Sequence, residues 1–338
     1  MLTIPKLLVD DRWIGKNGIG RYALEISSRI QFNKTSVNHK VKKLTIKDLF
    51  YLTYKIKCKN IKGFYSYGIN VPFPFYVKKP MIITIHDLIL LNSKEETSFT
   101  KKIYFEKFIK PIIKRDNVRV ITVSNFSKDE IVKWAQIDSN RVIVAYNGVS
   151  KCFKYNNEAK TEKYFLYIGN RSPHKNVEVI FKAFKLFKYF DKYRLVFSGD
   201  FDEKLREYAN KYDIPQSKIE IIGLDSSDEI LANYYQSATA TILPSFEEGF
   251  GLPLVESMAC GTPIIASKIE VLQEIAAQAG LYFDPYSADE LTKQMQQIVD
   301  DKKMYAEKVK ESLNRAKAFN WDKTASVVQD ELKKLNLL

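Results

Sequence analysis

The sequence SFEEGFGLPLVESMACGTP, residues 245–263, decides how the chain is organised. It follows residues 240–243, a short β-branched and apolar run that is typical of a buried strand. Two glycines then break the chain, and Pro253 suits the first turn of a helix because the N–H it lacks is not needed there. The pattern therefore predicts a strand, a glycine-rich turn and a helix from about Leu252 to Cys260. The Gly-Thr-Pro that follows ends this helix.

Two carboxylates flank the glycine-rich turn, Glu248 just before it and Glu256 a little over one turn into the helix. Backbone N–H groups at the positive end of a helix suit phosphate groups or polarised hydroxyls. The stretch therefore predicts a ligand site. The alternative is an ordinary βα unit with solvated glutamates, since a bare Glu-x7-Glu spacing often arises by chance.

With Gly-Phe-Gly-Leu-Pro between the glutamates and Met-Ala-Cys-Gly-Thr-Pro at its end, the stretch resembles the signature of family 4, the retaining nucleotide-sugar glycosyltransferases. The resemblance implies an α/β chain of the GT-B fold, with two Rossmann-like domains facing across a cleft, the donor on the C-terminal one. It also implies that Glu248 orients the donor sugar and that Glu256 accepts hydrogen bonds from the ribose hydroxyls. Further expected donor contacts are Gly249, Phe250, Gly251 and Leu252.

Length and composition indicate a two-domain globular protein. The 338 residues contain no apolar run long enough to span a bilayer, and the first residues lack the pattern of a secretory signal. The three cysteines are far apart and have no metal-binding spacing, so they are expected to be reduced thiols. These observations predict a cytoplasmic protein, with peripheral attachment to the inner face of the membrane as a further possibility.

The alternation of strand and helix patterns divides the chain. Residues 1–150 are predicted to form an N-terminal domain, residues 151–163 a polar linker, and residues 164–319 a C-terminal domain. The resemblance implies that the N-terminal domain is the acceptor side and that the C-terminal domain binds the nucleotide sugar. The segment from Phe319 resembles the family's return segment, which implies that a helix at about 320–338 joins the first domain.

A glycine-containing loop precedes a helical pattern that starts at Arg21. It is a poor dinucleotide fingerprint because the third glycine and the following acidic residue are missing. Residues 18–22 do resemble the family's N-terminal loop, which faces the donor phosphates and the acceptor. Gly18 and Gly20 are therefore candidate donor contacts, and a purely structural loop is the alternative.

His86 follows a predicted buried strand at residues 81–85, and open α/β sheets place their ligand sites at the carboxyl ends of strands. With Asp87 it also matches the His-Asp pair of the family, whose histidine lies near the donor sugar and acceptor. His86 is therefore a predicted catalytic residue, although a strand-end histidine can also be structural.

Lys175 and Arg171 precede a predicted helix that Asn176 is expected to cap. Two cations near a helix N-terminus suit a diphosphate, and the resemblance makes Lys175 a donor-binding and catalytic residue. Arg171 is a weaker match, because Asn170 stands where the family usually has arginine directly after the glycine. The resemblance further implies that the loop at Leu224 frames the nucleotide base.

Residues 1–150 carry a net charge of +15, and the remainder carries −2. Residues 39–63 interleave lysines with apolar and aromatic side chains. Such a segment can lie on an anionic membrane surface, but a helix and strand with a solvated lysine side would look the same. The charge also favours a lipid-linked acceptor.

The resemblance therefore implies a retaining hexosyltransferase, with mannose or rhamnose favoured, that acts on a glycan or lipid-linked acceptor without a cofactor or metal ion. A nucleotide-sugar epimerase of the same fold is the first alternative. A nucleic-acid-binding protein is a remote one, because the sequence has no stacking platform, zinc knuckle or helix-turn-helix pattern.

Overall fold

A computed structural model describes residues 5–15, 17–93, 97–223 and 226–338. The chain divides into two compact units. One contains the residues up to Gly148 together with Asn320–Leu338, and the other is Val149–Phe319.

The first unit is built on a parallel sheet, which has six strands within the described residues. The strands are β1 (Lys6–Asp10), β2 (Lys34–Ser36), β3 (Ile61–Ser66), β4 (Met81–Thr84), β5 (Val118–Thr122) and β6 (Val142–Val144). Their order is β2-β1-β3-β4-β5-β6, and each neighbouring pair is parallel. The central strands are buried on both faces, as expected for a parallel sheet covered by helices.

Helices connect these strands. They are α1 (Gly18–Arg29), α2 (Ile46–Lys57), α3 (Ile89–Asn92), α4 (Phe99–Tyr104), α5 (Lys110–Ile113) and α6 (Asn125–Ala135). Between α4 and α5 the chain forms a π-helical turn, Phe105–Ile109. Pro111 follows this turn and lacks the N–H that a regular helix needs.

Helix α1 begins three residues earlier than the apolar pattern predicts. Asn17 caps it, because its side-chain oxygen accepts a hydrogen bond from the Gly20 N–H at 2.7 Å. Gly18 and Gly20 therefore lie in the first helical turn and not in an open loop.

The second unit repeats this design. Its strands are β7 (Tyr164–Tyr167), β8 (Arg194–Ser198), β9 (Ile219–Ile222), β10 (Ala240–Leu243), β11 (Ile264–Ser267) and β12 (Gly280–Phe283). In the part of the unit that the structure describes they form one parallel sheet in the order β12-β11-β10-β7-β8-β9. Its helices are α7 (Glu178–Leu186), α8 (Glu203–Lys211), α9 (Asp228–Ser237), α10 (Leu252–Cys260), α11 (Glu270–Ala276), α12 (Ala288–Asp300) and α13 (Lys302–Ala316).

Residues 151–163, predicted as a linker, contain no helix or strand, and all of them are described. They nevertheless pack on the second unit. Phe153 is buried against Tyr235 with 5.7 Å between the ring centroids, and the Lys154 carbonyl accepts a hydrogen bond from Gln236.

The last helix, α14 (Trp321–Lys334), belongs to the first unit and packs on α1. Its Trp321 lies so close to Gly148 that a Cβ on this glycine would be 2.1 Å from the Trp321 nitrogen. Arg29 at the end of α1 binds Asp322 with 2.8 Å between Nε and Oδ1. No described helix is long and apolar enough to cross a membrane.

Candidate active site

The order of the second sheet identifies where a ligand site can form. The chain proceeds from β7 to β8 and β9 on one side, and then returns to place β10 on the other side of β7. The connections leaving β7 and β10 therefore diverge at their carboxyl ends. This is the topological switch point at which open α/β sheets bind ligands.

The two diverging connections carry an ion pair. Lys175 follows β7 and Glu248 follows β10, and Lys175 Nζ lies 2.8 Å from Glu248 Oε1. Ser245 Oγ donates a second hydrogen bond to the same Oε1 at 2.7 Å. The side chains are only 17% and 10% exposed, so the pair is less screened by water than a surface ion pair.

Lys175 ends a short 3₁₀ turn, Pro173–Lys175, and does not stand at a capped helix N-terminus. The prediction that Asn176 caps α7 is wrong. Asn176 has a left-handed backbone, and its side-chain amide donates to the carbonyls of Pro244 and Pro285 at 3.0 and 2.7 Å. The side chain therefore ties together the connections after β7, β10 and β12, and this tie fixes Lys175 beside Glu248.

Arg171 is directed toward the end of β8. One of its guanidinium nitrogens donates to the Ser198 carbonyl at 2.7 Å, and its Nε lies 3.5 Å from Asp202 Oδ2. Gly199, beside this guanidinium, has a φ of +102°, a backbone conformation that favours glycine. Arg171 thus has structural partners that the sequence did not predict, and its role as a phosphate ligand stays a prediction.

Tyr167, the last residue of β7, connects the neighbourhoods of Arg171 and Glu248. Burial and, secondarily, the charge of Glu248 raise the pKa of its hydroxyl far above the ordinary value. The hydroxyl therefore stays protonated and donates to the Asn170 carbonyl at 2.5 Å. This bond holds the first part of the connection that carries Lys175.

The glycine-rich turn leads directly into α10, as the sequence predicts. Gly251 precedes the helix with φ +90°, a conformation that side chains other than hydrogen disfavour. Leu252 is the first helical residue, and Gly249 lies in the turn before it. The Phe250 side chain is buried against Phe319, so a donor contact at this residue would use its backbone.

Glu256 lies on α10 and is held by a residue of α9. The Tyr235 hydroxyl donates to Glu256 Oε2 at 2.8 Å. Tyr235 is fully buried, and burial followed by the Glu256 charge raises the pKa of its hydroxyl well above the ordinary value. The tyrosine is therefore a permanent donor that fixes one oxygen of the carboxylate.

Sequence reasoning missed both Ser245 and Tyr235. Ser245 precedes Glu248 by three residues and could have been found from local spacing. Tyr235 precedes Glu256 by 21 residues on a different helix, so only the packing of α9 on α10 reveals it.

The remaining predicted donor contacts belong to the first unit or lie outside the described residues. Gly18 is exposed at the start of α1, in the first unit. Gly20 is buried, and a Cβ there would be 2.4 Å from the Gly15 carbonyl oxygen, which gives it a structural reason to be glycine. Leu224 lies outside the described residues.

His86 follows β4 in the first unit and is 8% exposed. Its Nε2 lies 3.0 Å from the Tyr67 carbonyl. A carbonyl only accepts, so Nε2 carries the proton and Nδ1 is the acceptor. Burial lowers the pKa of His86 to about 4, which leaves the imidazole neutral at physiological pH. If His86 takes part in catalysis, it therefore acts through hydrogen bonds of its neutral imidazole, because it carries no charge near pH 7.

Among the described residues, no group of three or more His, Cys, Asp or Glu side chains is arranged to hold a metal ion. The absence of a metal from the reaction stays a prediction.

Comparison with known proteins identifies relatives of this chain. The family model for glycosyl transferases group 1 matches residues 150–315. The O-antigen chain mannosyltransferase RfbU of Salmonella typhimurium is 33% identical over 237 residues, which is 65% of this chain and 65% of RfbU. O-antigen chain mannosyltransferase B of Escherichia coli is 26% identical over 280 residues, which is 78% of this chain and 72% of the relative. The alignment with RfbU thus spans slightly less than two thirds of that protein.

The architecture has a solved counterpart. Anabaena Alr3699/HepE, solved in complex with UDP-glucose, has a TM-score of 0.76 over 98% of this chain and 100% of the other, at 16% identity. At this identity the likeness concerns the fold, and it confirms the predicted GT-B class. The resemblance drawn from the glutamate phrase is also confirmed, since the family match covers both glutamates. Residues 150–315, which include the Lys175–Glu248 pair at the switch point of the second sheet, belong to the family of glycosyl transferases group 1.

Proposed function

We propose that the protein transfers a hexose from a nucleoside diphosphate sugar to a hydroxyl of a surface glycan or its lipid-linked precursor, with retention of anomeric configuration. Mannose is the favoured sugar because RfbU and mannosyltransferase B are O-antigen chain mannosyltransferases. The observation that carries the proposal is the Lys175–Glu248 pair at the switch point of the second sheet.

The pair suits a donor whose diphosphate is the leaving group. Lys175 supplies a positive charge in a partly buried position, where it interacts more strongly than in open water. The amino-terminal end of α10, a nine-residue helix, adds the positive end of a helix dipole. Both groups favour a diphosphate more as its charge grows, so they stabilise the transition state more than the bound donor.

The two glutamates then have separate roles. Glu256 accepts hydrogen bonds from the ribose hydroxyls of the donor, with one oxygen already fixed by Tyr235. Glu248 orients the sugar ring, and the bonds from Lys175 and Ser245 to its Oε1 hold the carboxylate in one place.

Retention follows when the acceptor attacks from the face that the leaving group vacates. The bond between the anomeric carbon and the diphosphate oxygen breaks, and the acceptor oxygen forms a bond to the same carbon. The acceptor proton passes to the departing phosphate oxygen. Glu248 acts through its charge in this scheme and forms no covalent intermediate.

A first experiment identifies the donor. Thermal-shift screening compares GDP, UDP and dTDP and their sugars, because a ligand that binds only the folded protein raises its melting temperature. HepE was solved with UDP-glucose, so both GDP-mannose and UDP-sugars belong in the screen. Incubation of the preferred donor with an acceptor glycan, followed by NMR of the product, tests transfer and retention.

Lys175→Ala tests the assignment of the site. We expect turnover to fall about 10²–10³-fold and donor binding to weaken, since a charge aimed at the leaving group is lost. Glu256→Ala should mainly weaken donor binding. Lys211→Ala is the matched control, because Lys211 forms a 2.6 Å ion pair with Glu178 in the same unit.

Undiminished turnover in Lys175→Ala would refute the site. Release of a free sugar, or a changed sugar nucleotide, in the absence of any acceptor would instead indicate an epimerase.

A further inference from the structure

We propose that the first unit carries a docking surface for an anionic lipid bilayer on the outer side of α2 and the loop before β4. We call it the aromatic–lysine face. It consists of Lys47, Phe50, Tyr54 and Lys57 on α2 and of Phe75 and Tyr76 in the loop before β4.

Helix α2 has two distinct sides. Leu49, Leu52 and Ile56 are fully buried in the core of the first unit. On the opposite side, Phe50 and Tyr54 are 58% and 69% exposed. The two interpretations of residues 39–63 therefore both hold for α2: it is a core helix, and its outer side is basic and aromatic.

The aromatic–lysine face is continuous because Phe73 joins its parts. Phe73 stacks on Phe50 with 5.3 Å between ring centroids, and its N–H donates to Thr53 Oγ1 on α2 at 2.8 Å. On its other side Phe73 contacts Phe108 at 5.6 Å, and Phe108 contacts Tyr104 of α4 at 5.7 Å. Phe73 therefore joins α2 and the loop before β4 into one surface.

The loop before β4 adds exposed aromatic side chains to this surface. Phe75 is 81% exposed and Tyr76 is 59% exposed. Tyr76 lies beside Phe73 at 5.9 Å, and Lys57 Nζ lies 5.9 Å from the centroid of the same Tyr76 ring. Exposed apolar groups that adjoin one another mark an interaction site more often than single ones do.

The segment that contains α2 presents charge of one sign at its surface. Residues 39–63 contain eight lysines and one acidic residue, Asp48. The Asp48 carboxylate is buried and binds Arg12 with 2.8 Å between Oδ1 and Nη1. It therefore presents no negative charge to a partner, and the lysines Lys47 and Lys57 stand exposed beside the aromatic rings.

This combination matches a bilayer with acidic headgroups. Aromatic rings enter the boundary between headgroups and acyl chains, and the lysines bind the acidic headgroups. A second copy of the chain is a poorer partner, because two such faces would bring lysines together. The proposal is independent of the transfer reaction, since it uses no residue of the candidate active site.

Flotation of the full-length protein with lipid vesicles tests the proposal. One vesicle type is phosphatidylcholine alone, and in the other about a third of the lipid is phosphatidylglycerol. We expect binding to the anionic vesicles and little to the neutral ones, and weaker binding as the salt concentration rises. No sugar donor or acceptor is present, so the outcome is separate from the proposed function.

Two variants separate the contribution of the aromatic rings to vesicle binding from that of the lysines. In F50S/Y54S/F75S the apolar groups are lost, and in K47Q/K57Q the charges are lost. We expect each variant to bind anionic vesicles at least about tenfold less tightly. The matched controls L186S/I230S and K302Q/K303Q change exposed residues of the second unit and should bind as the parent protein does.

Three results would overturn the proposal. One is equal binding, or no binding, to neutral and anionic vesicles at low salt. Another is binding by both variants at the parent level while their melting temperatures are unchanged. The third is dimerisation of the parent that F50S/Y54S/F75S abolishes, with no vesicle binding, because the face would then join two copies of the chain. Variants that keep the parent melting temperature and lose vesicle binding support the proposal.

Discussion

Hydrogen bonds from neighbouring side chains position the carboxylates of the candidate site. Tyr235 contributes one such bond, to Glu256, and has no other evident route to a ligand because it is fully buried. A carboxylate held at one oxygen loses fewer orientations when a ribose binds. Tyr235 is therefore a positioning residue in the proposed function.

Tyr235→Phe should raise the KM for the donor about tenfold and leave kcat within about twofold, since hydrogen bonds to charged groups contribute about 1.5 kcal/mol. Steady-state kinetics checks this expectation. Tyr234→Phe is the control, because the neighbouring Tyr234 makes an equivalent 2.8 Å bond to Glu220. Equal effects of the two variants would contradict a specific role for Tyr235.

His86 makes stability depend on pH. The unfolded chain binds a proton near the ordinary histidine pKa of 6.5, whereas the folded protein binds one only near pH 4. Between these values the unfolded state holds more protons, so stability falls as the pH falls. The loss between pH 7 and pH 5 should be about 2 kcal/mol.

Urea unfolding at pH 7 and at pH 5 measures this loss of stability. Other titratable groups also change the stability between these pH values, and a variant without the histidine measures their share. His86→Asn should lose about 2 kcal/mol less than the parent over this range. Identical pH dependence in the parent and in His86→Asn would show that the histidine is not held neutral by burial.

At the scale of helices and strands, the sequence predicted most where the signals are local. Helix α10 has the predicted bounds because glycine, proline and the apolar run before them are local signals that packing does not change. The start of α1 was missed because Asn17, a capping residue, precedes glycines that disfavour helix. Strand β2 was not predicted, since its three residues carry no apolar alternation.

Part of the candidate site could also be predicted from the sequence. Glu248 and Lys175 follow separate strands, and parallel pairing of β7 with β10 brings the two strand ends together. The left-handed Asn176 was not predictable, because its amide bonds two carbonyls that lie 68 and 109 residues further along the chain. Contacts of that range depend on the folded sheet.

Gly251 connects the stability of α10 to the site. Its φ of +90° is strained for any L-residue, and a Cβ would be 3.1 Å from Leu272 and 3.3 Å from Leu243. Gly251→Ala should therefore destabilise the protein by about 1–3 kcal/mol and weaken donor binding.

Thermal melting and titration with the preferred nucleoside diphosphate measure the two effects of Gly251→Ala. Gly223→Ala is the control for stability, because a Cβ at Gly223 has no atom within 4 Å among the described residues. An unchanged melting temperature for Gly251→Ala would show that the turn tolerates a side chain.

At the scale of the whole molecule, the proposed donor groups lie in one unit and the C-terminal helix stabilises the other. Trp321 of α14 is 2% exposed, sits against Gly148 and contacts Tyr22 at 6.4 Å between ring centroids. By contrast, Lys175, Glu248 and Glu256 all belong to Val149–Phe319. Stability of the first unit and binding of the nucleoside diphosphate should therefore respond separately to mutation.

Trp321→Ala in the full-length chain tests this separation. Loss of a buried tryptophan costs about 3–5 kcal/mol, so the first unit should melt about 10 °C lower, while the diphosphate still stabilises the second unit. Differential scanning calorimetry with and without the diphosphate resolves the two transitions, and the exposed Lys323→Ala on the same helix is the control. If Trp321→Ala also removed the stabilisation by the diphosphate, nucleotide binding would require an intact first unit, and the donor contacts assigned to the second unit would be incomplete.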